Sequence, residues 1–443
     1  MRLRWSELLR NRWWLGLAGF GLVERVGLAL STQPASFGDT PTYFRLGRTL
    51  MSGGLAGYDG TRVPVYPLLA GLLGGDGDSI RLVQLLIGWV TSLMLFYLMF
   101  ALTENVALGF ATGMLYNLTA GLVLFENNLL SETLTMALVI ACLAGFARVR
   151  TQPAGTSRLV AVVGLGLLAS LAGLTRTLFF LLPPLMLPFI AAMEHDWQGR
   201  LRLAVAFSAA PILLLGGWIA FIYSHYDMLS PTTMGGYHLV QHTGVFFEHL
   251  PDEEAVIRDT YLAVRDARLA ERGSQTNAIW DAIPLLTERT GLSFFALSAK
   301  LQSLSWWLIR HYPGLYLGSV VDGWIDFWKA PVYWQRDLFS VGWQRFITLW
   351  AWAGRGLSLL ANAAFLMLSS AYVVVGGVRR QLRPPAEVGL AAILVLLASV
   401  VQTLVDHGDN PRFLVPLQMV VIIVVIWAAW ALRRPAAIPE AGA

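Results

Sequence analysis

Runs of apolar residues close to the length of a bilayer crossing recur through almost the whole chain of 443 residues. They fall at approximately 13–31, 80–102, 105–125, 129–147, 159–174, 177–193, 203–223, 354–378, 388–405 and 412–432. A run of roughly 18 or more such residues is stable in hydrocarbon as a helix, which satisfies every backbone N–H and C=O within itself. The chain is therefore expected to be an all-α polytopic membrane protein of about ten transmembrane helices, with interfacial helices and a larger extracytoplasmic loop region. The residue balance agrees: 56% hydrophobic and 14% charged, against about 25% charged in soluble domains.

The short segments between the runs carry the arginines: Arg2, Arg4, Arg10 and Arg12; Arg148, Arg150 and Arg158; Arg200 and Arg202; Arg379, Arg380 and Arg383; Arg433 and Arg434. With the N-terminus in the cytoplasm, every cluster faces the cytoplasm, as the positive-inside rule requires. Both termini are then cytoplasmic, and alanine-, leucine- and arginine-rich usage points to the plasma membrane of a prokaryote. The net charge of +4 gathers at helix ends and forms no stripe, so nucleic acid is not an expected partner. The one cysteine, Cys142, lies in an apolar run and can form no internal disulfide. No small-residue cleavage site follows the first run, so a cleaved signal peptide is not expected.

This topology leaves outside a loop at 32–79, a region at 224–353, and tight turns at 126–131, 174–177 and 406–412. The expected organisation is a transmembrane module at 1–223, an extracytoplasmic and interfacial helical region at 224–353, and C-terminal transmembrane helices with a cytoplasmic tail at 354–443. Both long loops are rich in aromatic and apolar residues and lack the tracts of disordered segments. Residues 252–272 read as a solvated amphipathic helix. Residues 292–328 read as apolar helices lying in the interface or dipping into it. Trp306, Trp307, Trp324, Trp328, Trp334, Trp343, Trp350 and Trp352 read as an aromatic belt.

Unusual polar residues converge at one depth. Asp39 and Arg62 lie in the first outer loop, Glu126, Asn127, Asn128 and Glu132 at the outer end of the fourth run, and Arg176 in the next outer turn. Asp406, His407, Asp409 and Arg412 form the last outer turn. Ionisable groups at membrane depth are costly and mark function by default. Acids alternating with arginines suit an anionic ligand with an acid–base step, or a metal bound to a phosphate. Plain structural roles compete. Asp39, ahead of Pro41 and an apolar helical face, suits a helix N-cap. Glu132 after Ser131 suits a span's first turn. Arg62 and Arg176 suit snorkelling towards headgroups. The 406–416 segment has the composition of an ordinary turn. Glu24 and Arg25 would pair with each other or snorkel. Magnesium or manganese would draw on Asp39 with Glu132, His407 or Asp409, although their spacing follows no strong ligand pattern.

Four motifs, in this order, resemble the GT-C superfamily of integral membrane glycosyltransferases, and within it the relatives of protein O-mannosyltransferases and of the lipid A aminoarabinose transferase. Gly38-Asp39-Thr40-Pro41-Thr42-Tyr43 puts an acid just before an aromatic helix. An Arg-x-Pro-x-Tyr-Pro segment runs from Arg62 through Tyr66 to Pro67. Ser131-Glu132-Thr133-Leu134 opens a span, and Asp409-Asn410-Pro411-Arg412-Phe413-Leu414-Val415-Pro416 precedes the last one. The resemblance implies inverting transfer of a sugar from a polyprenyl-phosphate donor to a lipid, glycan or protein hydroxyl on the extracytoplasmic face. It implies Asp39 as general base and Glu132 as a second catalytic residue that orients or helps bind substrate. Arg62, Arg176 and Arg412 would hold the donor phosphate, and Tyr43, Tyr66, His407 and Asp409 would contact substrate. Lys300 and Lys329 are further phosphate candidates. Thr40, where the O-mannosyltransferases have a second acid, and the lack of a large soluble domain count against a protein acceptor. Three other classes fit part of the pattern. A polysaccharide ligase with a diphosphate-linked donor would need the same arginines. A lipid or sugar transporter would set its ionisable groups nearer mid-bilayer, and an envelope assembly protein would not need the acid–arginine convergence.

Overall fold

The computed structural model describes residues 11–331, 333–408 and 410–434. It is 81% helix, with no strand among these residues. Among the described residues eight helices are long and apolar enough to cross a membrane: Arg12–Ser31, Gly77–Thr103, Glu132–Arg150, Thr156–Thr175, Trp197–Tyr226, Val341–Val374, Ala386–Val405 and Asn410–Leu432. The bent pair Val106–Leu118 and Ala120–Asn127, meeting at 64°, makes nine if taken as one crossing. The remaining expected span is the shorter apolar segment Thr177–Ala191. It opens as a 3-10 turn at Thr177–Leu181 and then carries Pro183, Pro184 and Pro188, which remove backbone donors and disfavour a long regular helix. All the apolar runs are thus helical, but two of them do not make a straight crossing.

The innermost helices are Glu132–Arg150 and Asn410–Leu432, each with 72% of its apolar window buried, against 22% for Arg12–Ser31. Both begin at the same end of the bundle, because Arg412 in the first turn of one binds Glu132 at the start of the other. The opposite end holds the basic clusters of the described residues. There Arg150 pairs with Glu387 (2.6 Å) and Arg158 with Glu194 (3.2 Å).

Residues 235–311 build four main helices around a core of their own, centred on Tyr237, Val240, Phe247, Ile279, Leu286 and Leu301. The amphipathic segment becomes the helix Ala255–Arg272, which buries Ile257, Thr260 and Tyr261 and exposes Asp259, Asp266, Glu271 and Arg272, while Arg258, Arg265 and Arg268 are half-buried in ion pairs. Phe294–His311 buries Leu297, Leu301, Leu304 and Leu308. Pro313–Phe327 instead exposes Leu317, Val321 and Ile325 along one face, while Tyr316 donates to the Leu404 carbonyl at 2.6 Å. Trp306, Trp343 and Trp352 are exposed, as a belt requires, but Trp328 is buried and stacks on Phe365.

Candidate active site

The loop after the first long helix is pinned before it reaches Asp39. Ala35 forms an isolated parallel bridge with Asn128: Ala35 N–H donates to the Asn127 carbonyl and Leu129 N–H to the Ala35 carbonyl, both at 2.9 Å. Thr40 Oγ1 donates to the Leu129 carbonyl at 3.0 Å. Residues 127–129 lead directly to Ser131 and Glu132, so one stretch of backbone sets the positions of both acids. Neither Asp39 nor Ser131 acts as a side-chain cap, although each stands at the N-cap position of its helix, Thr40–Gly53 and Glu132–Arg150.

The two carboxylates are instead held by arginines. Arg62 Nη2 donates to Asp39 Oδ1 at 2.6 Å and Arg412 Nη1 to Asp39 Oδ2 at 2.8 Å. Arg412 Nε reaches on to Glu132 Oε1, which also accepts from Arg176 Nη1 at 2.5 Å. Arg176 lies 4.2 Å over the Phe413 ring, a cation–π contact that fixes its plane. Arg62, Asp39, Arg412, Glu132 and Arg176 thus form one row of alternating charge with a net positive balance. Glu132 is fully buried, and its Oε2 has no hydrogen-bond partner among the described residues. A carboxylate so placed is tolerable only while its cations remain. Asp39 keeps 24% of its side chain exposed. Burial pushes its carboxyl up, but Arg62 and Arg412 outweigh that and hold it well below the usual carboxylate range.

Asp39, Tyr43, Arg62, Arg176 and Arg412 line a cavity of about 900 Å³. Among the described residues its wall carries six arginines and four aspartates, with no lysine or glutamate, so it favours an anionic ligand. Tyr66 sits behind this wall, edge-on to Tyr43 with ring centres 4.7 Å apart, and donates to Gln84 at 2.6 Å. Glu132 is also behind the wall. His407 is not a lining residue. It bonds Ser319 (3.1 Å), stacks on His242 and lies 3.7 Å from Asp326. Burial and the neighbouring His407 lower the His242 imidazole to about 4, so it is neutral near pH 7. Asp409 lies outside the described residues. Lys300 and Lys329 are paired with Glu254 and Asp326. Glu126 leaves the outer group entirely: inside the bundle it accepts from Arg25 (2.6 Å) and Tyr116 (2.7 Å), and Arg25 also binds Glu24 and Asn117. Arg25 therefore does not snorkel; it is 3% exposed.

Of the donors weighed for a metal, Asp39, Glu132 and His407 do not gather. Both oxygens of Asp39 and Oε1 of Glu132 are committed to arginines, and His407 belongs to the other cluster. Among the described residues no group of three or more His, Cys, Asp or Glu is placed to share an ion. The cavity also takes residues that the motifs do not announce, among them His238, Gln241, Asn277 and Trp280. A polar stripe at His238, Gln241 and His242, with helical spacing, is a weak sequence signal for the first two; Asn277 and Trp280 have none.

The fold is similar to that of the archaeal oligosaccharyltransferase AglB from Archaeoglobus fulgidus, solved with an inhibitory peptide and a dolichol-phosphate. The identity is 14% and the TM-score 0.51, over 95% of this chain and 50% of AglB. The chain thus spans about half the length of that enzyme. ArnT from Cupriavidus metallidurans matches more loosely, with 14% identity and a TM-score of 0.37 over 95% of this chain and 77% of ArnT. No protein-family model and no curated protein matches the sequence. The chain thus shares its overall fold with AglB.

Proposed function

We propose that this protein is a membrane glycosyltransferase that moves a sugar from a polyprenyl-phosphate donor to a hydroxyl of a lipid or glycan acceptor. The observation that carries the reading is Asp39 between Arg62 and Arg412 on the wall of a cationic cavity. The dolichol-phosphate bound to AglB supports a lipid-phosphate donor by analogy of fold alone.

On this reading the donor phosphate competes with Asp39 for Arg62 and Arg412, and Arg176 completes its binding. Losing a cation raises the Asp39 carboxyl towards its ordinary range and makes it a better base. The acceptor oxygen then attacks the anomeric carbon while Asp39 takes the hydroxyl proton. The bond between that carbon and the phosphate oxygen breaks, and the lipid phosphate keeps the electron pair, stabilised by the arginines. Attack opposite the leaving group inverts the anomeric centre. Glu132 holds Arg412 and Arg176 in place. The site lies at the end of the bundle opposite the basic clusters, so the positive-inside rule assigns it to the extracytoplasmic face. The described parts of 1–223, with the outer loop at 32–79, and of 354–443 then form the membrane part, and those of 224–353 the outer cap, from which the helix Val341–Val374 enters the membrane.

The test is turnover of synthetic polyprenyl-phosphate monosaccharides by the protein in lipid, with product anomers assigned by NMR. One lipid phosphate released per sugar transferred, with inversion, is expected. Turnover confined to diphosphate donors would favour the ligase, and turnover with neither would overturn the reading.

A further inference from the structure

Beyond the charged row, the cavity has a second wall of different character. Met234 Sδ contacts Arg62 Nη1 at 2.7 Å. Met234 is the N-cap of the helix Gly235–Thr243, and His238 lies one turn further on, about 6 Å away. Its Nδ1 meets Asp406 Oδ2 at 3.1 Å, and its Nε2 has no partner among the described residues. Gln241 and Asn277 form a reciprocal pair: Gln241 Nε2 donates to Asn277 Oδ1 at 2.8 Å, and Asn277 N–H donates to Gln241 Oε1 at 3.1 Å. Trp280 Nε1 donates to the same Asn277 oxygen at 3.2 Å. Asn277 adopts left-handed backbone (φ 67°), a conformation costly enough in a non-glycine residue to need such bracing. Gly408 packs against this pair so closely that a Cβ there would lie 3.0 Å from Gln241 Nε2 and 3.1 Å from Asn277 Oδ1. The turn that carries Arg412 into the charged row therefore also rests on the second wall.

We propose that His238, Gln241, Asn277 and Trp280 form the acceptor subsite, and that the acceptor they take is a carbohydrate; the word acceptor rests on the transferase reading. An indole beside fixed planar amides and an imidazole presents an apolar platform with polar groups at its edge. That arrangement matches the C–H face and vicinal hydroxyls of a sugar ring. The groups are braced before any ligand arrives, which lowers the ordering cost of binding.

The test uses the full-length protein in nanodiscs without donor. Binding of neutral di- to tetrasaccharides is measured by calorimetry, with a serine- and threonine-containing peptide as control, for the wild type, Trp280→Leu, Trp280→Phe and His238→Ala. Saccharide binding is expected, weakened about tenfold or more in Trp280→Leu and His238→Ala and largely restored in Trp280→Phe, with undecaprenyl-phosphate binding retained in all. Retained lipid-phosphate binding also reports that each variant is folded. Peptide binding without saccharide binding, or saccharide binding indifferent to both substitutions, would overturn the proposal. Saccharide binding with no lipid-phosphate binding in any form would sink the transferase reading and leave the carbohydrate site standing.

Discussion

Arg412 and Asp39 are 373 positions apart in the chain and meet at 2.8 Å. Their contact joins the first outer loop to the start of the last span. It also silences Asp39 as a base, because a carboxylate shared by two guanidiniums holds a proton poorly. Its folded value lies below its ordinary 3.8. The stability it contributes is thus fully present above about pH 4 and lost only as the pH falls through the lower folded value. Ligand-free stability is expected to be flat, as far as Asp39 is concerned, from pH 5 to 8. With saturating donor, the acid limb of kcat is expected at higher pH than the ligand-free titration of Asp39 by NMR. Coincidence of the two would contradict the exchange of partners.

Glu132 depends on Arg412 and Arg176 for its charge. Removing Arg412 as Arg412→Met leaves it with one cation at a fully buried position, a change expected to cost about 3 kcal/mol. Thermal unfolding in detergent should show this loss, and the double variant with Glu132→Gln should recover much of it. An unaltered midpoint for Arg412→Met would mean that the row contributes nothing to the fold.

A second buried ion pair, Arg25 with Glu126, ties the first long helix to the bent pair. Gly88 leaves room for that carboxylate, since a Cβ there would lie 2.1 Å from Glu126 Oε1. Gly88→Ala should therefore displace Glu126 and destabilise the protein, and should cost much less in a Glu126→Ala background. Equal costs in the two backgrounds, read from a double-mutant cycle, would show that the two sites do not interact.

Much of the membrane architecture is legible in the sequence, because apolar length and arginine asymmetry are local signals. The two imperfect crossings are harder to see. Pro183, Pro184 and Pro188 lie in a run whose hydropathy alone reads as a span. The row of charges is partly legible: Asp39, Arg62, Glu132, Arg176 and Arg412 stand out singly as polar residues at one depth, but who pairs with whom is set by packing. Glu126 illustrates the difference, since nothing in its neighbourhood reveals that it turns inward to Arg25. His238, Gln241, Asn277 and Trp280 carry no motif, and tertiary structure alone brings them to the cavity.

Sidedness can be checked with cysteine labelling, because Cys142 is buried and should stay silent. Ser52→Cys is exposed near the C-terminal end of the helix Thr40–Gly53, at the site end, and Arg200→Cys is exposed at the basic end. A membrane-impermeant maleimide should label the first in intact cells and the second only after lysis. The reverse pattern would put the site in the cytoplasm.

The central claim is that Asp39 acts as the base of a sugar transfer from a lipid phosphate. The most direct measurement compares wild type with Asp39→Asn for sugar release from polyprenyl-phosphate monosaccharides, alongside donor binding by each. Turnover is expected to fall about 100- to 10,000-fold while the donor still binds. Undiminished turnover in Asp39→Asn would reduce the residue to a brace for Arg62 and Arg412 and contradict the mechanism.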